Sequence, residues 1–247
     1  MYQILNVRVD STSYNLATRQ IIKWAGQKES RYVCIANVHM VMEAYDAPNF
    51  RQIVNESDLV TPDGMPLVWV MHRMGAKGQE RVYGPELMLH VAEAAAREGI
   101  PVGLYGGTLK TLEKLAANLQ NRYPRLQIAY RYSPPFQPLS PEEDWQITNE
   151  INRSGALILF VGLGCPKQER WMAKHKEHIN AVMLGVGAAF DLHAGVKPQA
   201  PSWLQRAGLE WLFRLFIEPR RLWMRYLYHN PRFLVLAGLQ LWQRSIH

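Results

Sequence analysis

A chain of 247 residues with 48% hydrophobic side chains can bury one sizeable core, and its scattered Gly and Pro exclude wholesale disorder. Two distant cysteines, Cys34 and Cys165, exclude a disulfide scaffold and a four-ligand structural zinc site, and fit a reducing compartment. The net charge of +7 is uneven: from Arg206 to His247 seven arginines face two acids, a net of +5, with Trp203, Trp211, Trp223 and Trp242 in or beside that stretch.

Short β-branched runs alternate with longer amphipathic ones. Ile4–Val9 reads as a strand and Tyr14–Gln27 as a helix; Tyr32–Ala36 is a strand, followed by a helix through Val41–Tyr45. Leu59–Val60 is a brief strand before a helix over Pro66–Arg73, and Pro85–Arg97 is helical by period. Val102–Tyr105 (strand), Leu109–Tyr123 (helix), Leu126–Tyr130 (strand) and Pro141–Arg153 (helix opened by Ser140) continue the pattern. Ala156–Val161 is continuously apolar, as expected of a strand buried on both faces; Glu169–Lys176 is a helix and Ala181–Val186 a strand. Ser133–Pro141, with four prolines, reads as a stiff connection. Beyond about residue 200 everything reads as helix, broken at Pro219 and Pro231.

This alternation predicts an α/β fold: a Rossmann-like, mostly parallel sheet with helices on both faces, occupying residues 1–198. Residues 199–247 form a basic, aromatic helical appendage. The N-terminus lacks a basic segment followed by a long apolar run, so no signal peptide is expected. The longest apolar runs, Ala156–Val161 and Phe233–Leu239, are far short of the roughly 20 residues of a spanning helix.

In open α/β sheets ligands bind beyond the C-terminal ends of strands, and four such ends carry unusual residues. Thr61-Pro62-Asp63-Gly64 places a carboxylate on a rigid turn; Asp63 is either a turn or capping residue or a base for an acceptor hydroxyl. Tyr105-Gly106-Gly107-Thr108 offers a close backbone approach at a helix N-terminus, or glycines kept for steric reasons. Gly162-Leu163-Gly164-Cys165-Pro166-Lys167-Gln168 repeats that logic with a cation and an amide, without completing a dinucleotide fingerprint or a P-loop. In Gly185-Val186-Gly187-Ala188-Ala189-Phe190-Asp191, Asp191 is either a ligand for a sugar or ribose hydroxyl or a cap. Asn37 and His39 follow the second strand and are further polar candidates. His175 and His178 share a helical spacing that suits a metal, but an exposed polar face is the simpler reading. With no Asp-x-Asp pair, a departing diphosphate would rely on protein cations and backbone N–H groups. Arg214, Arg221, Arg225 and Arg232, spaced 7, 4 and 7, would align on one helical path beside an apolar stripe of Leu222, Trp223, Tyr226 and Leu227. That combination suits an anionic membrane surface, or else a helix packed on the body. No nucleic-acid-binding signature supports a nucleic-acid partner.

Together these segments resemble the WecG/TagA/CpsF family, glycosyltransferase family 26. The resemblance rests on Thr61–Pro66, Arg81-Val82-Tyr83-Gly84-Pro85-Glu86-Leu87, Gly164-Cys165-Pro166-Lys167-Gln168-Glu169, Gly185–Asp191, Ala200-Pro201-Ser202-Trp203, Gly208–Leu215 and Glu218-Pro219-Arg220-Arg221, in order along the chain. It implies an inverting hexosyltransferase of bacterial cell-surface polysaccharide or teichoic acid synthesis. The donor would be a UDP-sugar such as UDP-N-acetylmannosamine, and the acceptor a polyprenyl-diphosphate-linked sugar. It further implies no metal or other cofactor, Asp63 as base, Arg81 and Gln168 in substrate binding, and a membrane-targeting C-terminus on the cytoplasmic face of the cell membrane. Gly106, Gly107, Gly164, Lys167, Gly187, Asn37, Asp191, Arg214, Arg221 and Arg225 complete the expected substrate-binding set. The family's Thr-Pro-Asn is Ile35-Ala36-Asn37 here, which leaves the donor sugar open. A homo-oligomer is compatible with the chain. Two other functions fit the residues without the resemblance: a nucleotide-cofactor oxidoreductase on the same kind of sheet, and a non-catalytic peripheral membrane scaffold.

Overall fold

The computed structural model describes residues 1–135, 137–201, 203–204 and 208–246, and within the last helix it leaves out the side chains of Arg221, Arg225, Ser245 and Ile246. Ser202 and Arg206 therefore lie outside the described residues.

The chain opens with a hairpin rather than the single strand expected over Ile4–Val9. β1 (Tyr2–Ile4) and β2 (Val7–Val9) pair antiparallel around Leu5 and Asn6. Both turn residues have positive φ, 50° and 66°, which is what a two-residue turn matched to strand twist requires. The turn is invisible to an apolar pattern because Leu5 is itself buried.

The main sheet consists of β3 (Arg31–Ala36), β4 (Leu59–Pro62), β5 (Val102–Gly106), β6 (Ile128–Tyr132), β7 (Ile158–Gly162) and β8 (Val182–Gly185). Their order is β4-β3-β8-β7-β5-β6, and every pairing is parallel. The connecting helices are α1 (Tyr14–Gly26), α2 (Val38–Asp46), α3 (Pro48–Asn55), α4 (Met65–Arg73), α5 (Gly84–Glu98), α6 (Leu109–Arg122), α7 (Pro141–Ser154), α8 (Lys167–His175) and α9 (Ala189–His193). Capping residues set several starts: Ser13, Asn37 and Thr108 accept backbone N–H bonds with their side chains, and Ser140 with Glu143 forms a full capping box.

Each central strand feeds two cores. Ile158 and Phe160 of β7 pack on one face and Leu159 and Val161 on the other. Crossovers toward β6 carry α5 and α6 on the first face, while crossovers toward β4 carry α2, α7 and α8 on the second. Right-handed connections running in opposite directions must place their helices on opposite faces. The reversal leaves a crevice beyond the C-terminal ends of β3, β4, β7 and β8.

α10 (Glu210–Ile217) and α11 (Pro219–Ile246) complete the chain. Pro219 begins a helix, as Pro suits a first turn, but Pro231 does not end one: α11 runs through it. Tertiary anchors on both sides outweigh the lost backbone bond. Leu222, Phe233 and Ala237 are buried, Arg232 forms a two-pronged ion pair with Asp46 at 2.7 and 2.8 Å, and Gln240 bonds the hairpin backbone at Leu5 and Gln3. The single helical path expected for the arginines is interrupted, since the helix of Arg214 ends at Ile217 and Pro219 starts the next. Arg214 lies on α10 and turns into the crevice, whereas Arg232 lies on α11 and pairs at the surface. The expected apolar stripe divides likewise: Leu222 faces the body and Trp223 and Leu227 face out. His175 is buried, not exposed; it stacks on Trp171 at 4.2 Å and meets Asp144 at 3.0 Å. Among the described residues no helix is long and apolar enough to cross a membrane.

Candidate active site

Asp63 follows β4 directly. Its backbone N–H donates to the Ala36 carbonyl at the end of β3 (2.8 Å), so the turn is pinned to the sheet edge. Its carboxylate is held from one side: Arg81 Nη2 donates to Oδ1 at 2.9 Å, and Arg81 Nε donates to the Asp63 carbonyl oxygen. Among the described residues, the other oxygen, Oδ2, accepts only the long Gly84 N–H bond at 3.4 Å. Burial pushes the Asp63 carboxyl above the usual carboxylate range; the Arg81 guanidinium opposes this and the Glu210 carboxylate adds to it.

Arg81 is shared. Nη2 also donates to Glu210 Oε2 at 2.7 Å, and Glu210 Oε1 accepts from Arg214 Nη2 at 2.7 Å. Arg214 reaches on to the Tyr83 hydroxyl at 3.1 Å, and the Arg81 guanidinium lies over the Tyr83 ring at 4.1 Å. Two acids and two arginines thus form a neutral, mostly buried chain joining the β4 turn to α10. Burial works against the charge on Arg81, yet Asp63 and Glu210 outweigh it and raise its affinity for the proton. Sequence reading overlooked Glu210 and Tyr83 as site residues. Glu210 had one signal: an acid at the start of a helix otherwise rich in arginine and aromatics.

Two cavities meet at this chain of charges. The larger, about 320 Å³, is lined by the Gly164–Gln168 turn, the Gly185–Ala189 turn, Asn37, Asp63, Arg214 and Tyr226. The smaller, about 110 Å³, is lined by Asn37, His39, Asp63, Arg81, Tyr83, Glu210, Trp211, Arg214, Tyr226 and His229. Asn37, Asp63, Arg214 and Tyr226 belong to both walls.

The other expected residues divide by position. Lys167 is exposed on the rim of the larger cavity, at the N-terminal end of α8. Gln168 is buried; its Oε1 accepts the Gly164 N–H at 3.0 Å and its Nε2 donates to Glu169 at 2.8 Å. It packs against Gly185 so closely that a Cβ there would fall 2.9 Å from Nε2, and it lies beside Gly187. Gln168 therefore braces the two glycine turns, and it occupies the Gly164 N–H expected to meet a phosphate. Asn37 spends its side-chain oxygen on the cap of α2 while lining both cavities.

Gly106 and Gly107 line neither cavity. Gly106, at φ +123°, lets β5 close on β7: a Cβ would come within 2.7 Å of the Gly162 backbone. Asp191 also stands apart, paired with Lys197 at 2.8 Å, and Lys197 reaches Glu218 at 3.1 Å. That triplet ties α9 to the start of α11. The side chains of Arg221 and Arg225 lie outside the described residues.

A carboxylate of raised basicity at the junction of two cavities, flanked by guanidinium groups, is equipped for proton abstraction beside an anionic leaving group. The model of the glycosyl transferase WecG/TagA/CpsF family matches residues 2–247. With that match spanning essentially the whole chain, the protein belongs to the WecG/TagA/CpsF family and is a glycosyltransferase of cell-surface polysaccharide synthesis.

Proposed function

We propose that the protein is an inverting transferase that moves a hexosyl or N-acetylhexosaminyl group, such as N-acetylmannosamine, from a UDP-sugar to a polyprenyl-diphosphate-linked sugar at the cytoplasmic face of the bacterial membrane. One observation carries the mechanism: Asp63 lies on the wall common to both cavities. The donor occupies the larger cavity and the acceptor hydroxyl enters from the smaller. Oδ2 of Asp63, the less engaged oxygen, takes the hydroxyl proton as the acceptor oxygen attacks the anomeric carbon. The bond to the diphosphate breaks on the opposite face, so configuration inverts. Arg214, Lys167 and the positive end of α8 face the developing diphosphate charge, and this reading assigns the chemistry to protein groups alone.

Arg81 holds the carboxylate in place and Glu210 limits how far Arg81 can acidify it. Replacing Asp63 by Asn keeps the shape and removes the base. General-base assistance is worth about 10²–10⁴-fold, so Asp63→Asn should lose at least about a hundredfold in turnover, measured as UDP release, with donor binding retained. Near-normal turnover would take Asp63 out of this role.

The membrane part of the reading rests on α11. Leu222, His229, Phe233 and Ala237 face the body, while Met224, Leu227, Leu234 and Val235 are more than 60% exposed, together with Phe216 of α10. A helix apolar on both sides has one face left for another apolar phase. Placed on the bilayer, that face would bring the crevice to a lipid-linked acceptor.

A further inference from the structure

Where α2 meets α11, three side chains with metal-ligating atoms converge. His39 and Glu43 are one helical turn apart on α2 and so share a face. His229 arrives from α11, its ring edge-to-face with that of His39 at 5.2 Å and 64°. His39 Nδ1 lies 3.7 Å from Glu43 Oε1, and His229 Nε2 lies 3.6 Å from the same oxygen. The ligand atoms of all three residues fall within 4.8 Å of one another.

Those separations admit two arrangements, a loose imidazolium–carboxylate cluster or a bound ion. They exceed the roughly 2.7–3.2 Å of a well-formed N–H···O bond. Bonds of about 2.0–2.2 Å in a tetrahedral zinc site set neighbouring ligand atoms about 3.3–3.5 Å apart; the two histidine–Glu43 separations come close to this, and the two histidine nitrogens, within 4.8 Å of each other, would draw together on an ion. Two imidazoles and one carboxylate are also the donor set of a three-ligand zinc site that keeps a position open. His39 and His229 both line the smaller cavity, so the open position falls on the cavity side.

We propose that His39, Glu43 and His229 bind one divalent transition-metal ion of the zinc class, which ties α11 to α2 and leaves one coordination position for water. The inference does not depend on the role of Asp63. No step of the transfer runs through the ion; its direct effect is to fix the helix that carries the outward apolar face.

Cobalt reports the geometry directly. Titrating metal-stripped full-length protein with Co²⁺ should produce visible absorption bands of low-coordinate cobalt, saturating at one equivalent per chain and displaced by Zn²⁺. His39→Ala and His229→Ala should each weaken cobalt binding by at least about a hundredfold, since even supporting groups around a metal are worth 10–100-fold. Glu43→Gln keeps the side-chain shape and should abolish the rise in melting temperature that Zn²⁺ gives the unaltered protein. His178→Ala, at the exposed end of α8's following turn, should change nothing. Absence of stoichiometric cobalt bands in the unaltered protein would overturn the proposal and leave an imidazolium–carboxylate cluster in its place. So would bands that persist in the His39→Ala/His229→Ala double variant. The unaltered protein is read without any substitution, so a variant that fails to fold does not obscure the result.

Discussion

Truncating Glu210 to Ala tests whether the four-charge chain joins the C-terminal helices to the β4 turn. The Glu210 side chain is 10% exposed and accepts two charge-assisted bonds of 2.7 Å, from Arg81 and Arg214. Such bonds contribute about 1.5–3 kcal/mol each. Removing one partner of a buried pair costs about 3–5 kcal/mol, because the remaining charge stays buried. Here the loss is softened: Arg81 keeps Asp63, and Arg214 keeps Tyr83 and is one-third exposed to solvent. A net loss of about 2–4 kcal/mol is therefore expected. At about 2–4 °C per kcal/mol for a chain of this size, the melting temperature should fall by about 5–15 °C. Glu210→Gln, which keeps an acceptor but no charge, should fall between the two proteins. In Glu210→Ala/Arg214→Ala the loss should be smaller than the sum of the single losses, since one bond is removed twice. Calorimetric melts of five proteins, the single variant Arg214→Ala included, measure all of this. A melting temperature for Glu210→Ala within about 2 °C of the unaltered protein would refute the clamp.

The remaining predictions concern the base, the sheet and the outward helix face. Asp63 must be ionised to act, and its carboxyl is held above the ordinary range, so turnover should fall as pH drops through that raised value. The acidic limb of kcat/KM should therefore lie above the ordinary aspartate value of about 3.9; a limb at or below it contradicts the assignment. The folded state holds this proton more tightly than the unfolded chain does. The protonated form's contribution to stability is thus present at low pH and lost as pH rises through the folded pKa. Gly106→Ala should destabilise by about 1–3 kcal/mol through the clash with Gly162, leaving donor affinity of the folded fraction intact; selective loss of donor affinity would return Gly106 to a phosphate role. Replacing Met224, Leu227, Leu234 and Val235 together by Gln should abolish co-flotation with anionic liposomes while sparing turnover on a water-soluble acceptor. Equal flotation would remove α11 as the anchor. Deleting the chain beyond residue 198 is a poorer test, because Leu222, Phe233 and Ala237 complete a core.

Much of the fold was written locally. Apolar periodicity marked the strands and helices between Tyr14 and Val186 apart from α3, which the sequence reading passed over, since burial on one face of a helix or both faces of a central strand leaves a repeating mark in the chain itself. The turn of Asp63 and the glycine turns at Gly164 and Gly187 were legible for the same reason: a strand end followed by Pro, Gly and an acid is a local event. The Leu5–Asn6 turn and the passage of α11 through Pro231 were not legible. In both places distant contacts decide, the hairpin being held by Gln240 and the helix by Asp46 and the core.

The chain alone determined the sheet-and-helix alternation, the basic and aromatic C-terminus, and the carboxylate on a rigid turn. Only the tertiary structure decided which groups that carboxylate meets. Arg81 is 18 residues away and Glu210 is 129 residues beyond Arg81. Their pairing follows from desolvation: charges carried into one low-dielectric crevice must neutralise each other, whichever parts of the chain supply them. The same closure separated Gly106 and Asp191, which keep the fold together, from Asn37, Lys167 and Arg214, which face the space where sugar transfer is proposed.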